Sequence, residues 1–175
     1  MNGTRRSAYA AAVLHLRTAT PDDLEPLVEL TIRAFEAIQD GIREQLGAAL
    51  FAPQNGDWRG DYRRTLEGLT GPDEAERCIV ATIDDRPVGF ASWTTHPGPA
   101  GLQGEITLLA VDPQAQRSGV GRALIDAACD AMRAAGCVVA FAGTGGDAAH
   151  APARAAYEAT GFTALPTVFY SKLLD

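Results

Sequence analysis

With 175 residues, 46% of them apolar and 21% charged, the chain has the length of one domain and enough apolar material for a real core, which excludes a disordered chain. Its 18 glycines follow no three-residue period and its 3 cysteines are too few for a disulfide scaffold, so collagen-like and cystine-stapled classes fall away. The 22 acidic residues against 15 basic ones give a net charge of -7, which argues against a nucleic-acid partner and suits a cationic or neutral one, or simple solubility.

Met1 to Ala12 places Arg5 and Arg6 before AYAAAVL, a superficial likeness to a signal peptide. The apolar stretch is short and runs into His15 and Arg17, so the reading is a flexible N-terminal tail over residues 1–12 and a folded domain over 13–175. VLHLR (13–17) alternates as a strand. Thr20 then caps a helix whose first position suits Pro21, with Asp22 and Asp23 at the positive end of its dipole. Leu24, Leu27, Val28, Ile32 and Phe35 form its apolar face, and Pro26 adds a local bend. Gly41, Gly47, Pro53 and Gly56 punctuate two shorter helical pieces at roughly 42–51 and 57–69. CIVATI (78–83) and VGFASWT (88–94) around Asp84-Asp85-Arg86-Pro87 read as a hairpin, His96–Gly101 as a loop, and EITLLAV (105–111) as a central strand. A helix over 119–135 ends at Gly136, the buried strand CVVAFA (137–142) follows, and a Gly-rich loop at 143–147 leads into a helix at about 151–160. VFYSKLL (168–174) closes the chain as a strand. The order is β-α-α-β-β-β-α-β-α-β, an α/β fold around one mixed sheet.

Cys78, Cys129 and Cys137 lie in apolar segments without metal-ligand spacing, so buried reduced thiols, no metal site and a cytoplasmic location are expected. No apolar run reaches the ~18–20 residues of a membrane span, and no membrane partner is expected.

The informative stretch is Gln116-Arg117-Ser118-Gly119-Val120-Gly121-Arg122, set between a buried strand and a long helix. Glycines 119 and 121 let the backbone approach a ligand, and first-turn amides without intrahelical acceptors make an anion site; a plain tight turn is as common a reading. The third glycine of a dinucleotide fingerprint is missing, and there is no GK[ST] of a P-loop.

EITLLAVDPQAQRSGVGRAL resembles the central motif of the GCN5-related N-acetyltransferase (GNAT) family, a strand followed by [QR]-x-x-G-x-[GA]. HAPARAAYEATGF resembles the second signature of that family, and RTATPDDL (17–24) its opening. The resemblance covers about residues 13–174. It implies a central mixed sheet of six to seven strands flanked by about four helices, with the fourth and fifth strands splaying apart between Leu109–Val111 and Val139–Ala142. It also implies acetyl-CoA as cosubstrate, its pantetheine held by backbone of Leu109, Ala110 and Val111. The 116–122 turn (Gln116, Arg117, Ser118, Gly119, Val120, Gly121, Arg122) would hold the pyrophosphate, with His150 and Arg154 near the coenzyme. His150 departs from the family pattern, standing where many relatives carry Asn, so a helix-cap or substrate-side role is an equal reading.

Tyr157 matches the usual acid position of the family, and Glu105 stands on the strand where the histone-acetyltransferase branch carries its base. Alternation would put Glu105, Thr107, Leu109 and Val111 on one face. Each has a structural alternative, a core tyrosine and a carboxylate at a strand entry. Phe35, Glu36, Asp40, Trp58 and Tyr62 mix carboxylates with aromatics and suit a small cationic amine acceptor, aminoglycoside- or polyamine-like. A solvated helix face is the competing account. Two other functions stand beside this one: acetylation of protein N-termini or lysines, and a non-catalytic acetyl-CoA-binding regulatory module. A homodimer is left open.

Overall fold

The computed structural model describes residues 13–72 and 77–174, so the tail read over 1–12 lies outside them. Five strands form one sheet in the order β1 (Leu14–Thr18), β2 (Cys78–Ile83), β3 (Arg86–Gly98), β4 (Gly101–Val111), β5 (Cys137–Ala142). Neighbours are antiparallel up to β4, and β5 runs parallel to β4. The helices are α1 (Leu24–Asn55), α2 (Trp58–Thr70), α3 (Val120–Ala134) and α4 (Ala151–Ala159), with a 3-10 turn at Pro21–Asp23.

β2 and residues 88–93 of β3 are buried nearly throughout because both faces of the sheet are covered there. On one face Ala81, Val88, Ala91, Trp93 and Ile106 meet Val120, Leu124, Ala128 and Met132 of α3. On the other, Val80, Phe90 and Ala110 meet Leu27 and Leu30 of α1 and Leu66 of α2. Fully burying a side chain of this size contributes about 1.5–3 kcal/mol, so the two clusters fix which face each helix takes. Burial also pushes the Cys78 thiol up to about 12, leaving it an inert core residue.

Pro26 is tolerated in the first turn of α1, as its early position implies. Three expectations change. The helix beginning at Leu24 runs through Gly41 and breaks at Gly47, whose φ of 71° favours glycine, so the second helical piece starts there. The loop expected at His96–Gly101 is mostly strand: β3 and β4 pair out to Gly98 and Gly101. Pro97 is tolerated because β3 pairs with β2 only as far as Ser92, which leaves its other edge without a strand partner there among the described residues. Finally, the strand expected at 168–174 does not form. Residues 163–174 are exposed and form neither helix nor strand, so among the described residues the sheet has five strands rather than six to seven.

Entry into α1 rests on Asp23. Its carboxylate accepts two hydrogen bonds from Arg17, both 2.7 Å, and two from the Thr20 amide and hydroxyl at 2.8 and 3.0 Å. Burial pushes this carboxyl up, but Arg17 and Thr20 outweigh it and hold it below the ordinary range. Its pKa is thus depressed on folding, so the contribution is fully present above the unfolded value near ~3.9 and is lost as pH falls from there through the lower folded value. Asp23→Ala is expected to cost about 2–3 kcal/mol at neutral pH by leaving Arg17 and the Thr20 amide without their acceptor. Urea melts should show the wild-type and variant midpoints converging toward acid pH.

Candidate active site

Pairing between β4 and β5 ends at Glu105 with Phe141 and Ile106 with Ala142. Past that point β4 continues from 107 to 111 while the other chain turns away at Gly143, so this stretch of β4 has one edge without a strand partner. The opening is therefore bounded by Gly143 and Thr144, and not by Val139–Ala142 as the sequence suggested, because those residues are still paired. A cleft of about 1020 Å³ fills the gap, walled by β4 from Ile106 to Val111, the turn before α3, the first half of α4, and α1 around Phe35.

A bulge decides which way the β4 side chains face. Ser92 pairs with Leu108 and Trp93 with Ile106, which leaves Thr107 as the extra residue, its hydroxyl 2.9 Å from that of Ser92. Ile106, Leu109 and Val111 consequently pack on the α3 side and Leu108 and Ala110 on the α1 side. A side chain at Gly104 would collide with Met132 of α3, so its neighbour Glu105 faces α1. Glu105 thus parts from Leu109 and Val111, contrary to simple alternation. It borders the cleft wall, which begins at Ile106, without lining it.

The turn into α3 is held from several sides. Asp112 accepts from the Gln114 amide at 2.9 Å and from Arg33 of α1 at 2.7 Å, while Gln116 donates to the Val111 carbonyl at 3.3 Å. Ser118 is spent on the Ala115 carbonyl at 2.5 Å, and Val120 is core. Gly119 caps α3 with φ of 92°, and a Cβ there would meet nothing within 4 Å. The first backbone bond of the helix runs from Ala123 to Gly119, so the preceding amides are free to face open space. Arg117 and Arg122 line the same end of the cleft. A cradle of free amides, two arginines and no obstructing side chain fits a pyrophosphate.

At the other wall Tyr157 is buried against Phe162, ring centroids 5.3 Å apart, and lines the cleft. Burial pushes its phenol up to about 12, and no described residue hydrogen-bonds its hydroxyl. His150, two turns earlier along α4, also lines the cleft and holds Asp147 through Nδ1 at 2.6 Å. Burial raises the Asp147 carboxyl, but the His150 ring and the amides of Ala149 and His150 outweigh it and keep it low. Arg154 does not line the cleft. It donates to the carbonyls of Gly145 and Asp147 at 2.6 and 2.7 Å and ties the Gly-rich loop to α4. The Asp147–His150 pair and the Arg33–Asp112 bridge were missed in the sequence. The first leaves an Asp-x-x-His trace before a helix; the second joins residues 79 positions apart and leaves none.

The expected acceptor residues separate. Phe35 and Tyr62, their rings 4.8 Å apart, reach the cleft wall. Glu36 instead accepts from Arg59 at 3.1 Å, Trp58 is buried under the Arg59 guanidinium, and exposed Asp40 does not line the cleft. Asp57 and Asp61 are both paired with Arg64. Arg59 and Arg64 of α2 pair with Glu36, Asp57 and Asp61, and the basic side chains that line the cleft are Arg33, Arg117, Arg122 and His150, with no carboxylate among the described residues.

A sheet opened beside its one parallel strand pair, with a helix N-terminus at the opening, is the architecture that the sequence motifs imply. The chain matches the acetyltransferase (GNAT) family over residues 41–162, and it belongs to that family. It is 38% identical over 120 residues to a mycothiol acetyltransferase of Beutenbergia cavernae, covering 67% of this chain and 39% of that protein. To the S-(2-succino)cysteine N-acetyltransferase of Bacillus subtilis it is 34% identical over 110 residues, covering 62% of this chain and 59% of the relative. The chain thus spans well under the full length of these relatives. Its fold superposes on the aminoglycoside N-acetyltransferase AAC(6')-Iy in complex with CoA with a TM-score of 0.64 at 18% identity, covering 93% of this chain and 96% of the other, a likeness of fold alone.

Proposed function

We propose that the chain is an acetyl-CoA-dependent N-acetyltransferase acting on the primary amine of a small acceptor that carries a carboxylate of its own. The observation that carries this reading is the continuity of one cleft from the free amides of α3, along the unpaired edge of β4, to Tyr157 and the Phe35–Tyr62 wall. The amides around Gly119–Gly121 with Arg117 and Arg122 would hold the phosphates, and the 109–111 backbone the pantetheine amides, which add to an open strand edge as another strand would. Gln116 and His150 stand beside that path, while Ser118, Val120 and Arg154 support it from behind. Acetyl-CoA supplies an activated thioester carbonyl. Tyr157, neutral at any working pH, donates a hydrogen bond to the departing sulfur, and Glu105 takes the ammonium proton through water from the α1 side.

The cleft wall changes the acceptor expected from the sequence. No carboxylate lines the cleft, so an aminoglycoside- or polyamine-like acceptor has no anionic partner there, while Arg33 is already bridged to Asp112 and Arg117 and Arg122 face the phosphates. A primary amine next to a carboxylate fits better, and the name of the Bacillus subtilis relative describes such an acceptor. Thiol release from acetyl-CoA would be measured with S-(2-succino)cysteine, other S-substituted cysteines, a polyamine and an aminoglycoside. We expect kcat/KM at least ~10-fold higher for the carboxylate-bearing amines, about 1.4 kcal/mol of discrimination. The reverse order would overturn the acceptor assignment and leave the transfer chemistry standing.

A further inference from the structure

An acceptor that carries a carboxylate needs hydrogen-bond donors, and the arginines of the cleft are taken: Arg33 is bridged to Asp112, and Arg117 and Arg122 stand at the phosphate end. Strand register identifies a second surface just beyond the cleft wall. Trp93, Ile106, Ala140 and Ala142 pack toward α3, so the residues that alternate with them face the α1 side of the sheet. Pairing sets these in two rows across β3, β4 and β5: Thr94, Glu105 and Phe141 in one, His96, Gln103 and Val139 in the next.

Thr94, His96, Gln103 and Glu105 are half-buried, yet none of their side chains has a hydrogen bond or ion pair among the described residues. β3 and β5 stand two strand spacings apart, about 9.6 Å, on either side of β4. The His96 and Phe141 rings still meet edge to face, centroids 5.3 Å apart at 67°, so both lean over β4 beside Gln103 and Glu105. Gln103 is held as well: a Cβ at Gly98 would collide with its amide, so glycine there leaves the room that the side chain occupies. A carboxylate therefore has an aromatic ring at its side, with two donors, the His96 imidazole and the Gln103 amide, one row away at about 6.7 Å of strand rise. The face is continuous with the cleft, because Glu105 precedes Ile106, where the cleft wall begins, and Leu108 on the same side of β4 lines it.

We propose, resting on the N-acetyltransferase reading above, that this sheet face is the acceptor subsite and that it selects an amine flanked by a carboxylate. The ammonium lies against the Glu105 carboxylate and the Phe141 ring, both of which favour a cation. Phe141 is 37% exposed, so α1 leaves it open to a ligand. The acceptor's carboxylate takes hydrogen bonds from His96 and Gln103 in the next row. A polycation finds no second carboxylate on this face, which agrees with the cleft itself having none. His96, Gln103 and Phe141 thus become specificity-determining residues, although they lie outside both sequence motifs.

Titrating S-methylcysteine into isotope-labelled protein saturated with CoA is expected to shift the amide resonances of residues 94–96, 103–105 and 139–141. No shifts there, or shifts confined to the surroundings of Arg33, overturn the subsite. Kinetics compare S-methylcysteine with 2-(methylthio)ethylamine, which lacks only its carboxylate. His96→Phe keeps the ring contact and Gln103→Leu keeps the bulk, so the double variant loses the donors without emptying the face. It is expected to lower the ratio of the two kcat/KM values at least ~10-fold, mainly through the KM of S-methylcysteine, with acetyl-CoA affinity unchanged. An unchanged ratio overturns the subsite and leaves the transferase reading standing. Phe141→Leu is expected to raise KM about 3-fold for both amines, since it removes a contact with the ammonium that they share. KM unchanged for both overturns the placement of the ammonium on this face. Wild-type protein that releases no thiol with any amine overturns the transferase reading itself, and the subsite with it.

Discussion

Gly119→Glu is expected to weaken acetyl-CoA binding at least ~100-fold in calorimetry, a loss of about 2.7 kcal/mol, while the fold survives. Two effects add. The cap sits at φ 92°, where a side chain costs about 1–2 kcal/mol of backbone strain, and the space above it is empty. A carboxylate there would occupy the position meant for a phosphate and turn the dipole and the unpaired amides against the ligand. Gly119→Ala separates the contributions: it carries the strain without the charge and is expected to lose far less affinity. Unchanged affinity in folded Gly119→Glu would mean that the turn does not hold the phosphates.

Tyr157→Phe is expected to lower kcat ~10-fold while acetyl-CoA affinity stays within about 2-fold. A positioned acid typically contributes ~10²–10⁴-fold. The lower figure follows from the pKa values. The phenol is pushed up to about 12, whereas a departing thiolate has a reference value near ~8.5, so full proton transfer from Tyr157 is uphill and a hydrogen bond to the sulfur is the main contribution. The hydroxyl has no partner to lose among the described residues, so Phe leaves no orphaned group behind there and the change reads the chemistry rather than the packing. A kcat equal to wild type in a folded variant would make Tyr157 a core residue only.

What the sequence made legible was local. The strand at 105–111, the Gly-x-Gly turn and the amphipathic α3 are contiguous, and glycine spacing with a 3.6-residue apolar period identifies them directly. Tyr157 followed from its place in a second contiguous motif. The failures were contacts between distant residues. The Thr107 bulge depends on how β3 registers against β4, and it moved Leu109 and Val111 to the face opposite Glu105. The acidic stretch from Glu36 to Asp61 read as a cation trap because each carboxylate was weighed alone, whereas Arg59 and Arg64 pair with three of them in the folded pair of helices. The 168–174 segment has the composition of a strand, yet pairing is a property of two segments, and no described strand pairs with it.

The central claim is that the splay between β4 and β5 is where acetyl-CoA lies. Titrating acetyl-CoA into isotope-labelled protein and following backbone amide resonances tests it residue by residue. The account predicts saturating shifts confined to residues 107–111, 117–123, 143–144 and the first two turns of α4, with β1 and the outer edge of β5 unmoved. Shifts clustered on any other face, or none at saturating ligand, would contradict it.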